Sequence, residues 1–245
     1  MTDEARRYQD VARELRRHIV AQGFNVGDRL MTERQIAELL NVSRGLVRDA
    51  VIMLEVEGTV QVRKGSGIYL TRSPEGEVQP DHDDIGPFEL LQARQLLESA
   101  VAGFAAAMVT KADVTRMREA LESERRNIEA GSDDYSGDER FHRLIAEATQ
   151  NGVLVSMVED LWAKRSQSRM WEQLHHRIFD ETYRRQWLDD HHEILAALQA
   201  RDSNRARQAM WDHLTHVSDT LMALSDVDDP AFDGYLFAPR AKIAI

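Results

Sequence analysis

The sequence predicts a mainly α-helical protein, with an N-terminal winged helix-turn-helix followed by a larger all-helical bundle. Three helical stretches and two short alternating segments occupy the first 72 residues, and helical periodicity continues from about residue 88 to residue 225. A polar segment rich in Pro, Gly and Asp separates the two regions. We therefore expect a first domain, a linker, a second domain and a C-terminal tail at residues 1–72, 73–86, 87–230 and 231–245.

Composition and charge indicate two domains with different partners. The 245 residues are 42% hydrophobic and include no cysteine, which excludes disulfides, thiolate metal ligands and a cysteine nucleophile. Since no secretory signal and no apolar run of about 18 residues is present, we expect a cytoplasmic protein without a membrane segment. The net charge is −11, yet residues 1–72 hold 12 basic and 10 acidic side chains. Because phosphates repel an acidic surface, the first domain alone suits nucleic acid.

Residues 32–58 have the pattern of a helix-turn-helix. Thr32 and Gln35 form a capping signature for the first helix, and Asn41 tolerates the left-handed backbone of a tight turn. Ser43 can cap the second helix, which ends near Gly58. The apolar residues predicted to face inward from the two helices are Ile36, Leu39, Leu40, Val47, Ala50, Val51 and Leu54. In such a unit the N-terminal end of the second helix enters the major groove of DNA.

Basic side chains are predicted on the opposite face of this unit. Arg44 and Arg48 are four residues apart, so they project side by side from the second helix. Arg34 leaves the first helix on the same side. An arginine fork can bridge two acceptors on guanine or grip a phosphate. By themselves these arginines could equally form an ordinary charged surface.

The segment TVQVRKGSGIYL predicts a β-hairpin after the second helix. Its glycine-rich tip carries Arg63 and Lys64, and can approach a sugar–phosphate backbone closely. The residues expected to face inward are Val60, Val62, Ile68 and Leu70. The ordered set of capped helix, short turn, second helix and basic hairpin favours DNA binding over a plain charged surface.

This first segment resembles the GntR family of bacterial regulators through GDRL, TERQIAELLNVSR, VRDA, LEVEG and VRKGSGIYL. The resemblance implies that Arg34, Arg44 and Arg48 make the principal operator contacts, with Lys64 and Gly65 at the wing tip. Gly45-Leu46 replaces the small polar residues usual in the family, and Leu46 can touch a thymine methyl. The predicted DNA-binding residues are Arg34, Ser43, Arg44, Gly45, Leu46, Arg48, Lys64 and Gly65.

Four side chains in the second domain have the pattern of a metal site. Asp138 and His142 share one helix face beside an apolar stripe, whereas His191 and His213 keep step with the apolar residues of two later helices. Three imidazoles and a carboxylate inside a bundle can bind zinc, nickel or manganese and leave positions open for water or a ligand. The alternative is a set of core histidines that are satisfied by hydrogen bonds.

Arg94 shares the inward stripe of the helix that begins near residue 88. A buried guanidinium needs an anion. The anion is either an internal acid such as Glu98 or the carboxylate of a small effector. Trp171 is either a core residue or a ring that stacks on a sugar, and we retain it with His175 as candidate effector-binding residues.

The second domain resembles the FCD domain of the FadR subgroup of GntR regulators, an antiparallel helical bundle, and the order Asp138, His142, His191, His213 fits its metal-ligand pattern. The segments GPFELLQARQLLES, AMWDHL and FDGYLF further resemble hexuronate-operon repressors of the ExuR/UxuR type. This resemblance implies a repressor that acts as a homodimer on a palindromic operator. The implied effector is glucuronate, galacturonate, fructuronate or tagaturonate.

Two other classes of protein remain open on the residues alone. A metal-dependent hydrolase or isomerase could use the same four side chains, although no general base or nucleophile accompanies them. Alternatively, the metal could be structural and tie helices together while another pocket binds the effector. We expect a regulator rather than an enzyme, because an enzyme would leave the winged helix without a role.

Overall fold

The computed structural model describes residues 7–63, 66–74, 84–132, 134–176, 178 and 183–226. Within these ranges the chain is mainly helical, as predicted, with ten helices and one two-stranded antiparallel sheet. The elements in chain order are α1 Tyr8–Gln22, α2 Glu33–Leu40, α3 Arg44–Val56, β1 Val60–Arg63, β2 Gly67–Leu70, α4 Pro87–Met108, α5 Lys111–Glu129, α6 Ser136–Ala148, α7 Gly152–Gln167, α8 Arg169–His175, α9 Tyr183–Gln199 and α10 Ser203–Leu224.

The chain divides into two compact units, and neither is continuous in sequence. The first contains Met1–Glu89, Arg169–Ile178 and Met222–Ile245, and the second contains Leu90–Ser168 and Phe179–Leu221. The helix α8 joins the first unit because it packs against α3. No local sequence pattern distinguishes such a segment from the helices around it, since the contact joins residues more than 100 positions apart.

The helix-turn-helix in the first unit is formed by α2 and α3. The Thr32 hydroxyl accepts a hydrogen bond from the Gln35 amide at 3.2 Å, and Asn41 adopts a left-handed backbone with φ of 51°. Leu39 is 52% exposed, so its predicted burial is wrong. The buried face of this short helix follows Glu33, Ile36 and Ala37 instead. The other predicted residues that are fully buried are Ile36, Val47, Ala50, Val51 and Leu54.

The predicted hairpin is present as β1 and β2. Val60 pairs with Leu70, and Val62 pairs with Ile68, in antiparallel register. Three of these four side chains are buried and Val62 is half-buried. Lys64 and Gly65, which are predicted to form the tip, lie outside the described residues.

Asp49 fixes the recognition helix α3 to the start of α4. Its carboxylate accepts hydrogen bonds from the Phe88 amide at 3.1 Å and the Glu89 amide at 3.0 Å, which caps α4. A side chain at Gly86 would overlap this carboxylate, so glycine is required there. Burial raises the pKa of Asp49 to about 7, against the lowering effect of the two backbone hydrogen bonds.

The second unit consists of helices joined by short connections. The helix α5 packs against α6 and α9, and α6 packs against α7. Each helix of this unit places at least one charged or imidazole side chain inward, so the unit has a polar centre within an apolar core. None of the helices in the described ranges has the length and apolar character needed to span a bilayer.

Candidate metal centre and DNA-reading surface

Four side chains from three helices converge at the centre of the second unit. The Nε2 atom of His191 lies 3.3 Å from Nε2 of His142 and 3.2 Å from Nε2 of His213. An Asp138 carboxylate oxygen lies 3.4 Å from Nε2 of His142 and 3.6 Å from Nε2 of His191. The structure therefore brings together all four residues that the sequence predicts as metal ligands. The three imidazoles are almost fully buried.

A separate carboxylate holds the other nitrogen of each imidazole. Nδ1 of His142 contacts Glu98, Nδ1 of His191 lies 2.9 Å from Glu124, and Nδ1 of His213 lies 3.4 Å from Asp190. A carboxylate accepts a hydrogen bond from Nδ1–H, so a neutral ring held in this way presents an Nε2 lone pair. Nε2 of His191 thus faces the Nε2 atoms of His142 and His213 at 3.3 and 3.2 Å, an arrangement that a bound cation would stabilise.

The spacing of the donor atoms fits a divalent metal ion. Four donors placed tetrahedrally at about 2.0–2.1 Å from a zinc ion lie about 3.3–3.4 Å apart. Four of the six separations among the imidazole nitrogens and Asp138 are 3.2 to 3.6 Å, and the ligand atoms of the three imidazoles all lie within 4.8 Å of one another. Carboxylates that hold metal-binding imidazoles through Nδ1 are the usual support of such a site. The residues present therefore fit the ion that the sequence predicts.

The electrostatics of the cluster keep its acids ionised. Burial alone would raise the pKa of Asp138, but His142 and then His191 outweigh it, and the pKa is lowered. Burial also opposes ionisation of Glu98, yet Arg94 and His142 lower its pKa to about 2. Burial and the neighbouring His191 lower the pKa of His213 to about 3, so His213 is neutral and can act as a ligand.

Arg94 lies beside the cluster and pairs with an internal acid. Its Nε donates to Glu98 at 2.7 Å, and its guanidinium lies 4.1 Å from the centre of the Trp162 ring. This pair is the first of the two alternatives that the sequence left open for Arg94. Among the described residues, it is the one hydrogen bond that Arg94 makes, so its two terminal amino groups can still receive an anion.

A second arginine approaches the same tryptophan. The guanidinium of Arg165 lies 5.2 Å from the centre of the Trp162 ring and 5.0 Å from that of Tyr135. Burial lowers the pKa of Arg165, whereas Asp138 opposes this shift. Arg94 also lowers this pKa, since two like charges lie close together. Two guanidinium groups thus lie beside Trp162, close to the carboxylates of Asp138 and Glu98.

Trp171 and His175 both lie on α8, where their rings are 5.9 Å apart. The helix α8 belongs to the first unit and packs against α3, whereas the histidine cluster and Arg94 belong to the second unit. The role of Trp171 and His175 in effector binding stays a prediction.

The recognition helix differs from its prediction at Arg48. Arg48 is fully buried, and it contacts Glu33 on α2 and the hydroxyl of Ser225. It also donates to the Met222 carbonyl at 3.2 Å. The expectation that Arg48 projects outward beside Arg44 is therefore wrong for this conformation. The cause is the segment of residues 222–226, which begins in the last turn of α10 and covers Arg48.

The remaining predicted DNA-binding residues are at least partly accessible. Arg44 is 46% exposed and pairs with Asp226, while Arg34 is 78% exposed. The Ser43 hydroxyl accepts from the Leu46 amide at 3.3 Å and so caps α3, as predicted. A Cβ atom at Gly45 would make only ordinary van der Waals contacts with Phe88 and Met222, so the structure does not require glycine there. The DNA-contacting roles of these residues stay predictions.

Several residues of the polar centre were missed or given a lesser role by sequence analysis. Glu124 lies on the buried stripe of α5 with Met117 and Leu121, so its inward position was readable from helical spacing. Arg165 similarly follows Val158 and Trp162 on α7. The pairing of each carboxylate with a particular imidazole was not readable, because the partners are between 23 and 67 residues apart.

A helix-turn-helix that exposes Arg34 and Arg44, together with a separate helical unit that buries a cluster of potential metal ligands, is typical of a DNA-binding regulator that responds to a small ligand. Family models agree with this class. Residues 7–70 match the bacterial regulatory proteins of the gntR family, and residues 89–216 match the FCD domain. The chain belongs to the GntR family of bacterial transcription regulators with an FCD domain, and it is not an enzyme.

Near full-length relatives support the same assignment. The chain is 49% identical to the "Uxu operon regulator" of Haemophilus influenzae over 95% of this chain and 88% of that protein. It is 43% identical to the "Exu regulon transcriptional regulator" of Escherichia coli K12 over 99% of this chain and 95% of that protein. The sequence-based assignment to this family is thus confirmed.

Solved structures support the fold. One structure, whose title states that Lar controls the expression of the Listeria monocytogenes agr system, aligns with a TM-score of 0.50 and 15% identity. The alignment covers 89% of this chain and 97% of that chain. At this identity the likeness concerns the fold alone.

Proposed function

We propose that this chain represses genes for hexuronate uptake and breakdown, and that a sugar acid bound next to the metal site releases it from DNA. The observation that carries the proposal is the buried Arg94 beside three converging imidazoles in a chain 43 to 49% identical to Uxu and Exu regulators. A hexuronate offers one carboxylate and adjacent hydroxyl groups. Arg94 suits the carboxylate, and oxygen donors suit an open metal position.

The protein's own residues would hold both the metal and the effector. Asp138, His142, His191 and His213 are placed to ligate a zinc, nickel or manganese ion. When bound, this ion supplies a Lewis acid that accepts oxygen atoms of the effector. Arg94 and Arg165 would orient the effector carboxylate near the Trp162 ring, through charge and hydrogen bonding.

DNA binding requires the recognition helix to be uncovered. In this conformation, Arg48 donates hydrogen bonds to the Met222 carbonyl and the Ser225 hydroxyl, and Arg44 pairs with Asp226. The helix α10 carries His213 and, nine residues later, Met222. We propose that a small shift of α10 upon effector binding changes how firmly its end holds these arginines. An effector can act in this way only through different affinities for the covered and uncovered forms.

A homodimer is the assembly that suits a palindromic operator. One face of α4 in the second unit supports this proposal. Leu96 is 65% exposed, Phe104 is 47% exposed and Met108 is 38% exposed, and helical spacing places all three on one side. An apolar stripe of this kind is what a second copy would cover.

Effector-dependent DNA release tests the proposal directly. The full chain with bound zinc is titrated into a fluorescent DNA fragment selected by the protein from a random library. We expect glucuronate, galacturonate, fructuronate or tagaturonate to weaken DNA binding by about 5- to 150-fold. Lactate and glucose serve as controls, because one lacks the sugar hydroxyls and the other lacks the carboxylate. If none of the four acids changes the affinity, the proposed effector class is wrong.

Removing the contacts that residues 222–226 make with Arg44 and Arg48 on α3 should strengthen DNA binding. In the double variant Ser225→Ala and Asp226→Asn, Arg48 loses a buried hydrogen bond and Arg44 loses its ion pair. Together these interactions contribute about 1–2 kcal/mol, so we expect operator affinity to rise by about 5- to 30-fold. Fluorescence anisotropy with the same DNA measures this change.

The matched control for that experiment is Asp219→Asn. Asp219 is an exposed acid on α10, so its replacement removes one negative charge without touching α3. A similar gain in the control would mean that general electrostatics, rather than release of the recognition helix, produces the effect.

A further inference from the structure

One carboxylate in the second unit serves two functional side chains at once. Glu98 on α4 is only 2% exposed. One of its oxygens accepts from Nε of Arg94 at 2.7 Å, and the other contacts Nδ1 of His142. Glu98 therefore joins the arginine proposed to bind the effector to a residue proposed to bind the metal.

The other two supporting carboxylates lack this double role within the described residues. Glu124 contacts His191, and Asp190 contacts His213 and the exposed His216. Neither has an arginine among its described hydrogen-bond or ion-pair partners. Glu98 and Glu124 thus form a natural comparison, because both hold an imidazole and one of them also holds a guanidinium.

We infer that Glu98 is a positioning residue that couples effector binding to metal binding, an inference that rests on the proposed function. A carboxylate that accepts hydrogen bonds from two side chains binds each of them less strongly than a carboxylate that accepts from one side chain alone. An anion that engages Arg94 competes with Glu98 for the guanidinium. Glu98 then holds the His142 ring more strongly, and a more firmly held and more basic imidazole binds metal more tightly. By reciprocity the metal tightens effector binding by the same factor.

A double-mutant cycle on zinc affinity tests the link without any sugar acid. Arg94→Met removes the contact of Glu98 with Arg94 and leaves its contact with His142. We therefore expect zinc to bind about 3- to 10-fold more tightly than in the wild type. In a Glu98→Gln background, where zinc binding is itself about 10- to 100-fold weaker, Arg94→Met should change zinc affinity by less than about 2-fold. Arg94→Gln, which removes the charge but keeps a polar side chain, provides a second variant should Arg94→Met fold poorly. Competition with a zinc-binding dye reads out the affinity of the full chain, and circular dichroism checks folding.

Glu124→Gln is the matched control. It should weaken zinc binding to a similar degree, but the effect of Arg94→Met should persist in that background. The inference is overturned if Arg94→Met and Glu98→Gln act additively, or if the Glu124→Gln background abolishes the Arg94→Met effect as well.

Repeating the zinc titrations with each of the four sugar acids separates this inference from the proposed function. The acid that binds should raise zinc affinity about 5- to 50-fold in the wild type, and by a clearly smaller factor in Glu98→Gln, where only direct contact between the acid and the metal remains. If the double-mutant cycle shows coupling but none of the four acids changes zinc affinity, the Arg94–Glu98–His142 link is retained and the proposed effector class is wrong. A response that survives Glu98→Gln in full would retain the effector and refute the role of Glu98.

Discussion

Arg44→Ala should reduce operator affinity by at least about 30-fold. A well-placed arginine contact to a base contributes about 1–3 kcal/mol, and a two-fold symmetric dimer makes the contact twice. Arg44 is 46% exposed at the start of α3, so its removal leaves the core of the first unit intact. The loss of the Arg44 pair with Asp226 favours the uncovered helix, but an exposed pair contributes at most about 1 kcal/mol. The lost DNA contact therefore dominates.

The control for this variant is Arg125→Ala. Arg125 is 44% exposed on α5 and pairs with Glu122 and Glu129, so it matches Arg44 in exposure and ion pairing. We expect this control to bind the operator as the wild type does. Equal binding by Arg44→Ala and wild type in fluorescence anisotropy would contradict the assignment of the DNA-reading surface.

Arg48→Ala is a poorer test of DNA binding. Arg48 is fully buried and pairs with Glu33, so its removal leaves a buried carboxylate without its main partner. Breaking a buried pair in this way costs about 3–5 kcal/mol of folding stability. A loss of DNA binding in that variant would reflect the fold of the helix-turn-helix as much as a missing base contact.

His191→Ala should abolish high-affinity metal binding. The Nε2 atom of His191 lies within 3.3 Å of the Nε2 atoms of both other imidazoles, so it is the central donor of the cluster. We expect zinc affinity to fall by more than about 100-fold, since loss of a ligand exceeds the effect of losing a supporting residue. Saturating zinc at about 100 times its dissociation constant should stabilise the wild type by about 2.7 kcal/mol. Differential scanning fluorimetry should show this as a rise in melting temperature of about 5–10 °C, absent in the variant.

The neighbouring His192 provides the comparison. Its ring lies on the exposed side of α9 and contacts the Leu188 carbonyl at 2.8 Å. His192→Ala should retain both zinc binding and the zinc-dependent rise in melting temperature. If His191→Ala kept them as well, the histidine cluster would be an ordinary hydrogen-bonded core rather than a metal site.

The positions of the helices were predictable because each follows local rules. Apolar spacing located every helix from α4 onward except α8 to within a few residues, and capping residues such as Thr32 and Ser43 marked α2 and α3. The burial of Leu39 was predicted wrongly, because an eight-residue helix offers too few turns to fix the direction of its buried face. The break between α7 and α8 at Ser168 was also missed.

The candidate site was predictable to the level of its inward-facing ligands. Helical period alone places Asp138, His142, His191 and His213 on the buried faces of three helices, and the structure brings them together. The same period could not show which carboxylate meets which imidazole. It also could not show that α8, which carries Trp171, belongs to the first unit, since unit membership depends on how whole helices pack.

The sequence by itself determined the family of the chain, the order of most elements and the inward direction of Asp138, His142, His191 and His213, because motifs and spacing along single helices carry this information. Only the tertiary structure decided that Glu98 is shared between Arg94 and His142, and that Ser225 and Met222 cover Arg48. The physical reason is that a buried charge takes its partners from the groups that packing brings within hydrogen-bond distance. One such partner of Arg48, Ser225, lies 177 residues away along the chain.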